Sequence, residues 1–459
     1  MRIISFTGKK IYGFLDLEVK FNKDLTFLTG INGSGKTTVV RGIAALTAPS
    51  LLSLAHMNYE RIEVRISKEN GKSKDLRIWA TRNDETISLE TSESKNELII
   101  PLFVLELPET GSYRGREKEA DYYREFETEH SSDPVIRAIK DSPSPMILGI
   151  ERRYSEMVSD EMFPTTASIY RARRRGLVDQ INPLSLGLLQ AADVAESALR
   201  KVQIQQARIT EDLKKKILLD AYLYEEVSDI LKSSDPSKML QGRDINATKI
   251  NVQATFERLG LSREEIGARL DVFFNKILEL TALLKEEKDL NKIINGKDPK
   301  KSGLVVGLII NYPQFARILR LLSFADEYID QSKKANEPID RYLEIVNSFL
   351  RDSGKTISFD ETGSLVVQQR NGVNTPITSL SSGESQILVI ITHLALNPTA
   401  QAANVFIVDE PELSLHVKWQ EIFVDAVQKA NPKLQIIFAT HSPSIILDRT
   451  DKCIDLSEK

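Results

Sequence analysis

The octapeptide Gly30-Ile31-Asn32-Gly33-Ser34-Gly35-Lys36-Thr37 constrains the fold of this 459-residue chain more than any other segment. It fits the pattern G-x-x-x-x-G-K-[ST], in which glycines let the backbone curl until its N–H groups converge on phosphate oxygens. A helix opening directly behind such a loop adds positive potential from its N-terminus. The flanks agree. Leu25 to Leu28 is an apolar, strand-like run, and from Lys36 an apolar helical face continues until Pro49 stops it. A strand, a phosphate loop and a helix are therefore expected, with Lys36 reaching β- and γ-phosphates and the Thr37 hydroxyl holding Mg²⁺.

Three later segments carry compatible chemistry. Val405-Phe406-Ile407-Val408-Asp409-Glu410 is an apolar run ending in two carboxylates. A buried parallel strand delivers such residues to the ligand edge of an open α/β sheet. There Asp409 can bind Mg²⁺, and Glu410 can polarise or deprotonate an attacking water. Leu380-Ser381-Ser382-Gly383-Glu384-Ser385-Gln386 precedes an apolar helix, Ile387 to Leu396. Its serines and glycine leave a hydroxyl and free N–H donors for an anionic oxygen, although alone they read as a helix cap. Ile436 to Ser442 is a further apolar strand, ending near His441. Beside a phosphate site that imidazole could donate a hydrogen bond to the γ-phosphate.

Composition narrows the classes. Sixty-one Lys and Arg against 65 Asp and Glu give a net charge of −4, which excludes a globally basic nucleic-acid coat. A single cysteine, Cys453, rules out an internal disulfide framework and a four-cysteine zinc site. The apolar runs are far below the roughly 20 residues that span a bilayer. With no secretory leader pattern in MRIISFTGKKIYGF, a cytoplasmic protein without membrane partners is expected.

Three regions are expected along the chain. Residues 1–180 alternate like short strands around the phosphate loop, and within them 111–133 reads as a charged, mobile surface segment. Residues 181–335 read as helical. There Ser262 and Glu265 match a capping box, and Ile266, Leu270, Phe273, Ile277, Leu280 and Leu284 step by three and four. Residues 336–459 return to alternating strands and helices around Ser382, Asp409 and His441.

In this order the motifs resemble the ATP-binding-cassette (ABC) ATPase heads of chromosome, repair and defence proteins. Gly30 to Thr37 looks like the Walker A loop, Leu380 to Gln386 like the signature, and Val405 to Glu410 like Walker B. Ser414-Leu415-His416 occupies the D-loop position and His441 that of the switch histidine. The resemblance implies an α/β P-loop NTPase head, with a mixed or parallel sheet and an inserted helical domain. It implies ATP and Mg²⁺ as cofactors. Asn32, Gly33, Ser34, Gly35, Lys36, Thr37 and Thr38 of one copy would hold the nucleotide, together with Ser382 and Gly383 of a second. Thr37 and Asp409 would hold the metal, and Glu410 and His441 would serve catalysis. Paired heads or a higher homo-oligomer follow from that sharing. Tyr12 or Phe14 could stack on adenine, or either could be core. No Gln stands at a Q-loop position after Met146 to Ile150, where Glu151-Arg152-Arg153 follows instead.

Among such heads the wording VDEPELSLH and the Ser-Ser-Gly-Glu signature resemble the OLD and RecF types. No TOPRIM nuclease follows the head in this sequence, so the chain is similar to stand-alone ATPase subunits of two-gene anti-phage systems such as PARIS and Septu. That resemblance implies a separately encoded effector nuclease, of TOPRIM or HNH type, and a phage-encoded trigger. The alternative is a RecF-like repair ATPase that clamps DNA, for which Arg171 to Arg175, with Arg152 and Arg153, is the concentrated basic feature.

Overall fold

The computed structural model describes residues 1–48, 50–67, 75–103, 113–148, 183–223, 244–258, 263–286, 298–398, 401 and 404–457. Its strands are β1 (Arg2–Ile11), β2 (Leu15–Lys20), β3 (Leu25–Thr29), β4 (Arg61–Ser67), β5 (Leu76–Arg82), β6 (Thr86–Thr91), β7 (Glu97–Pro101), β8 (Met146–Leu148), β9 (Thr356–Phe359), β10 (Leu365–Gln368), β11 (Asn374–Pro376), β12 (Val405–Asp409), β13 (Gln435–Ala439) and β14 (Cys453–Asp455). Its helices are α1 (Lys36–Thr47), α2 (Leu51–His56), α3 (Tyr113–Glu129), α4 (Pro134–Lys140), α5 (Pro183–Ala221), α6 (Ile245–Arg258), α7 (Arg263–Glu286), α8 (Pro299–Leu350), α9 (Ser382–Leu396), α10 (Val417–Ala430) and α11 (Pro443–Ile446). The chain divides into one unit of Met1–Leu199 with Pro338–Lys459 and another of Arg200–Glu337.

In the first unit, parallel and antiparallel strands are segregated. One sheet has the order β14-β3-β13-β12-β8, and its pairings are all parallel. Every residue of β12 and β13 is buried, as expected for parallel strands covered on both faces. Register sets Asp409 beside Ala439, and Ala439 beside Leu28. The ends of three strands therefore open on one edge, where an α/β sheet presents its ligand site.

The antiparallel sheet runs β2-β1-β4-β5-β6-β7. It alternates as a half-buried sheet should, with Ile62, Val64, Ile66, Ile78, Ala80, Ile87 and Leu89 inward. Helix α1 shares one core with both sheets: Val39, Ile43 and Leu46 cluster with Ile62 and Val64 and with Val405, Ile407 and Ile437. A third sheet, β11-β10-β9, is small and antiparallel. The start of α5 belongs with this unit, because Leu188, Ala191 and Ala195 are buried and Glu196 accepts a hydrogen bond from the Leu365 amide.

Residues 113–129, expected from their charge to be mobile surface, form α3 instead. Tyr122, Tyr123 and Phe126 fall on one face and pack against the main core, and the Tyr123 hydroxyl accepts from the Phe103 amide at 3.1 Å. Three aromatics at helical spacing outweigh the charge around them.

The second unit is helical among the described residues. Ile245 and Val252 of α6, Phe274 and Ile277 of α7 and Phe315 of α8 form its core. The Phe274 and Phe315 rings meet edge to face at 6.3 Å. Of the seam expected in α7, Ile277 is buried and Leu270 and Phe273 are partly so, while Phe274 rather than Phe273 takes the interior. No described helix is long and apolar enough to cross a membrane.

Candidate nucleotide-binding site

The loop between β3 and α1 has a conformation that glycine makes available. Gly30 has φ +136°, and a Cβ there would lie 2.7 Å from Ser34 Oγ and 2.8 Å from Ser457 Oγ. Gly35, at φ +97°, precedes the first turn of α1. Asn32 and Gly33 are exposed at the tip, whereas Ser34, Gly35 and Lys36 are buried. Lys36 Nζ folds back over the loop, donating to the carbonyls of Gly30 at 3.0 Å and Ile31 at 3.2 Å. Burial holds its ammonium below the ordinary lysine pKa, opposed by the charges of Glu410 and Asp409. Ser34 Oγ is buried without a hydrogen-bond partner. A buried orphan of this kind calls for a ligand or solvent to satisfy it.

Asp409 ends β12 at the same edge. Thr37 Oγ1 donates to Asp409 Oδ1 at 3.3 Å, across 372 positions of sequence. Burial raises the Asp409 carboxyl to about 6, against the Thr37 hydrogen bond and with help from Glu410. A carboxylate desolvated in this way gains from a cation. Glu410, the next residue, is half-buried with φ +51°, and its amide bonds to the Ala439 carbonyl at 2.8 Å. The left-handed kink costs energy for a residue with a Cβ, and it turns the chain out of the strand into the 3₁₀ turn Pro411–Ser414.

His441 lies two residues beyond β13 and is exposed, while Thr440 before it is fully buried. The Thr440 amide bonds to the Leu28 carbonyl at 3.1 Å, which ties this strand end to β3. His416 caps α10, accepting from the Lys418 amide at 3.4 Å.

Ser382 and Gly383 open α9. Ser381 is its N-cap, and Ser381 and Glu384 form a reciprocal capping box. Ser382 is exposed, and the hydrogen bonds of Ser381 and Glu384 go to one another and to Lys355. The loop, Asp409, Glu410 and His441 are thus gathered by β3, β12 and β13, and Ser382 and Gly383 sit on a different helix start.

Phe14 is 78% exposed, which excludes a core role for it, and Tyr12 beside it is half exposed at the turn between β1 and β2. The neighbouring Leu15 is the side chain that a Cβ on Gly35 would meet, so this turn lies near the loop. Glu151 to Arg153 and Arg171 to Arg175 lie outside the described residues.

Some contributors escape a reading of motifs. Ser457 Oγ accepts from the Ile31 amide at 2.9 Å, and Leu456 donates to the Thr29 carbonyl at 3.0 Å. Leu456 and Ser457 therefore brace the loop. Glu412 bonds to Thr440 and His441. Its position two residues after Glu410, inside the same motif, was the available signal.

A glycine loop at a helix N-terminus, a buried lysine and a hydroxyl–carboxylate pair suit a nucleoside triphosphate with a hard divalent cation. Such a loop at the carboxyl edge of a parallel sheet defines the α/β P-loop NTPase fold, the fold class the motif order implied. Residues 12–446 match the family described as AAA ATPase domain, and the chain belongs to that family. It is 30% identical over 96 residues to the Retron Vc95 probable ATPase of Vibrio cholerae serotype O1 biovar El Tor, which is 19% of this chain and 19% of that protein. It is also 30% identical over 89 residues to the Retron Ec83 probable ATPase of Escherichia coli, covering 17% of this chain and 16% of that one. The chain thus matches only a small part of the length of either relative. Among solved structures it is similar to the Smc head domain with an extended coiled coil bound to the C-terminal domain of ScpA from Pyrococcus furiosus. That likeness has a TM-score of 0.38 and 13% identity, over 99% of this chain and 92% of that one. The SMC head domain from Thermotoga maritima gives 0.36 and 10%, over 97% and 91%.

Proposed function

We propose that the chain binds ATP with Mg²⁺ and hydrolyses it between two copies of itself. The observation that carries this reading is the Thr37–Asp409 contact beside the buried Lys36. Backbone amides from Asn32 to Thr38 bind the phosphates, and Lys36 exchanges its two loop carbonyls for phosphate oxygens. Thr37 and Asp409 supply oxygen ligands to the cation, whose chemistry is to neutralise charge on the β- and γ-oxygens. Glu410 orients and deprotonates the attacking water, and His441 donates to the γ-phosphate. Ser382 and Gly383 complete the site of the second copy from the start of α9. Tyr12 or Phe14 offers the adenine a ring to stack on.

This cytoplasmic ATPase acts as sensor and scaffold of an anti-phage complex. It governs a separately encoded effector nuclease, of TOPRIM or HNH type, in response to a phage trigger. The order of its motifs and its similarity to two retron ATPases support that role.

The test is equilibrium ATP binding and mass measurement on three proteins. Lys36→Ala should lose binding, and Glu410→Gln should bind ATP, turn over little and accumulate paired heads. Equal turnover by Glu410→Gln and the wild type would remove Glu410 from its role. A stable complex with a neighbouring gene product in the absence of DNA would support the scaffold. Steeply salt-dependent DNA affinity that vanishes on changing Arg173 to Arg175 would replace it with a DNA clamp.

A further inference from the structure

A closed circuit of hydrogen bonds joins the segment after Glu410 to the loop that carries His441. Glu412 Oε1 accepts from the His441 amide at 2.8 Å, and Glu412 Oε2 accepts from Thr440 Oγ1 at 2.9 Å. Thr440 Oγ1 in turn accepts from the Ser442 amide at 3.0 Å. Ser442 Oγ donates to Gln420 Oε1 at 2.7 Å. Gln420 Nε2 then returns to the first segment, donating to the carbonyls of Leu415 at 2.9 Å and Glu412 at 3.3 Å.

The circuit is specific and supported. Thr440 is fully buried and Gln420 nearly so, which makes each missing bond costly. Gln420 uses both its oxygen and its nitrogen, so neither end of the amide is spare. It sits on α10, whose Phe423 packs on Phe438 of β13 with ring centres 5.8 Å apart. A second link runs in parallel, from the Glu410 amide to the Ala439 carbonyl. Both Glu412 oxygens are thus engaged by the His441 loop. The imidazole of His441 is exposed, and the hydrogen bond from this residue to Glu412 is made by its backbone amide.

We infer that Glu412 and Gln420 are positioning residues that yoke the His441 loop to residues 411–416, so that displacement of either segment carries the other. The catalytic consequence rests on the ATPase reading above. If a second copy presses on the exposed His416 region, the yoke transmits that movement to His441, and a single-copy site stays poorly aligned.

The test pairs steady-state kinetics with backbone hydrogen exchange on the full chain. Glu412→Ala and Gln420→Ala should lower kcat for ATP by about tenfold or more while KM changes by less than about twofold, the pattern of an interaction used only in the transition state. Glu412→Gln, which keeps one oxygen for the His441 amide, should recover part of the loss. In Gln420→Ala, exchange should rise together in 411–416 and in 440–442. Ser442→Ala removes one hydroxyl only, and should move both readouts the same way by less if the larger variants fold poorly. Exchange rising in one segment alone, or unchanged kcat in Gln420→Ala, would overturn the yoke. A wild type that neither binds nor hydrolyses ATP would sink the ATPase reading, while the joint exchange response would still decide the yoke.

Discussion

The side-chain amide of Gln435 takes both backbone hydrogen bonds of Ile3. Gln435 Oε1 accepts from the Ile3 amide at 2.8 Å, and Gln435 Nε2 donates to the Ile3 carbonyl at 2.8 Å. The same nitrogen reaches the Asn22 carbonyl at 2.8 Å. Gln435 opens β13 and is 1% exposed, so one side chain staples the parallel sheet to β1 of the antiparallel sheet. Gln435→Leu would keep the volume and strand an amide and two carbonyls in the interior. We expect a loss of about 2–4 kcal/mol in unfolding free energy, from roughly 1–3 kcal/mol for each unsatisfied group with partial relaxation. Urea denaturation measures it, and a midpoint equal to the wild type would show that water or another group replaces the amide.

His393 predicts an acid-sensitive fold. It is buried in α9, and its Nδ1 lies 3.0 Å from Asn397 Nδ2. Burial lowers its pKa to about 4 from an ordinary 6.5. Below 6.5 the unfolded chain takes up a proton that the folded chain refuses, so stability falls as pH drops. The contribution is intact above 6.5 and declines toward 4, with a slope approaching ~1.4 kcal/mol per pH unit from this residue. His393→Gln should flatten that window in denaturation curves taken between neutral and mildly acidic pH. An unchanged slope in His393→Gln would assign the acid sensitivity to other groups.

The strand ends and the loop that meet at the candidate site were legible because their pattern is written in short spacings. Glycines, lysine and threonine within eight residues, and two carboxylates at the end of an apolar run, carry their meaning locally. Gln435, Gln420 and Ser457 were not legible, because their roles depend on partners brought close only by the fold, and Glu412 had only its place beside Glu410 as a signal. Ser457 bonds to Ile31 from 426 positions away, and nothing near Ser457 in sequence signals it. Helix α3 was missed for a different reason. Its charge density dominates composition, while Tyr122, Tyr123 and Phe126 need only one face to dock it. Leu270, Phe273 and Ile277 of the seam in α7 were located by their period, but a shift of one residue, from Phe273 to Phe274, is finer than periodicity resolves.

Gly35 tests the phosphate loop without touching a charge. Its φ of +97° strains any residue with a Cβ, and that Cβ would come within 2.9 Å of Leu15 and 3.1 Å of Leu17. Gly35→Ala should weaken ATP binding by about tenfold or more, since holding a non-glycine residue in such a conformation costs of order 1–3 kcal/mol. Calorimetric titration with a non-hydrolysable analogue checks it. Wild-type affinity would mean that the loop can flatten without losing its phosphate contacts.

Lys355 and Glu384 give the last prediction, because under the proposed pairing they separate the phosphate loop of one copy from the start of α9 that would meet a second. Lys355 Nζ meets Glu384 Oε2 at 2.8 Å, with the carboxylate almost wholly buried. Burial alone would raise the Glu384 pKa, but the Lys355 ammonium and the Ser381 donors hold it below the usual range, so the carboxylate stays ionised. The same oxygen accepts the Ser381 amide at 2.7 Å, which makes the ion pair part of the cap of α9. Lys355→Met removes the ammonium and keeps most of the stem. It leaves a buried charge held by the cap and the Ser353 side chain, at an expected cost of ~2 kcal/mol in stability. The first turn of α9, with Ser382 and Gly383, should then fray, while Asn32 to Thr38 and Asp409 keep their geometry. ATP affinity should therefore stay near wild type, whereas ATP-dependent pairing of heads in a Glu410→Gln background should weaken by about tenfold, as 1.4 kcal/mol would produce. Sedimentation with and without ATP reads the pairing. Undiminished pairing despite a measured loss of stability would remove the start of α9 from the contact between copies.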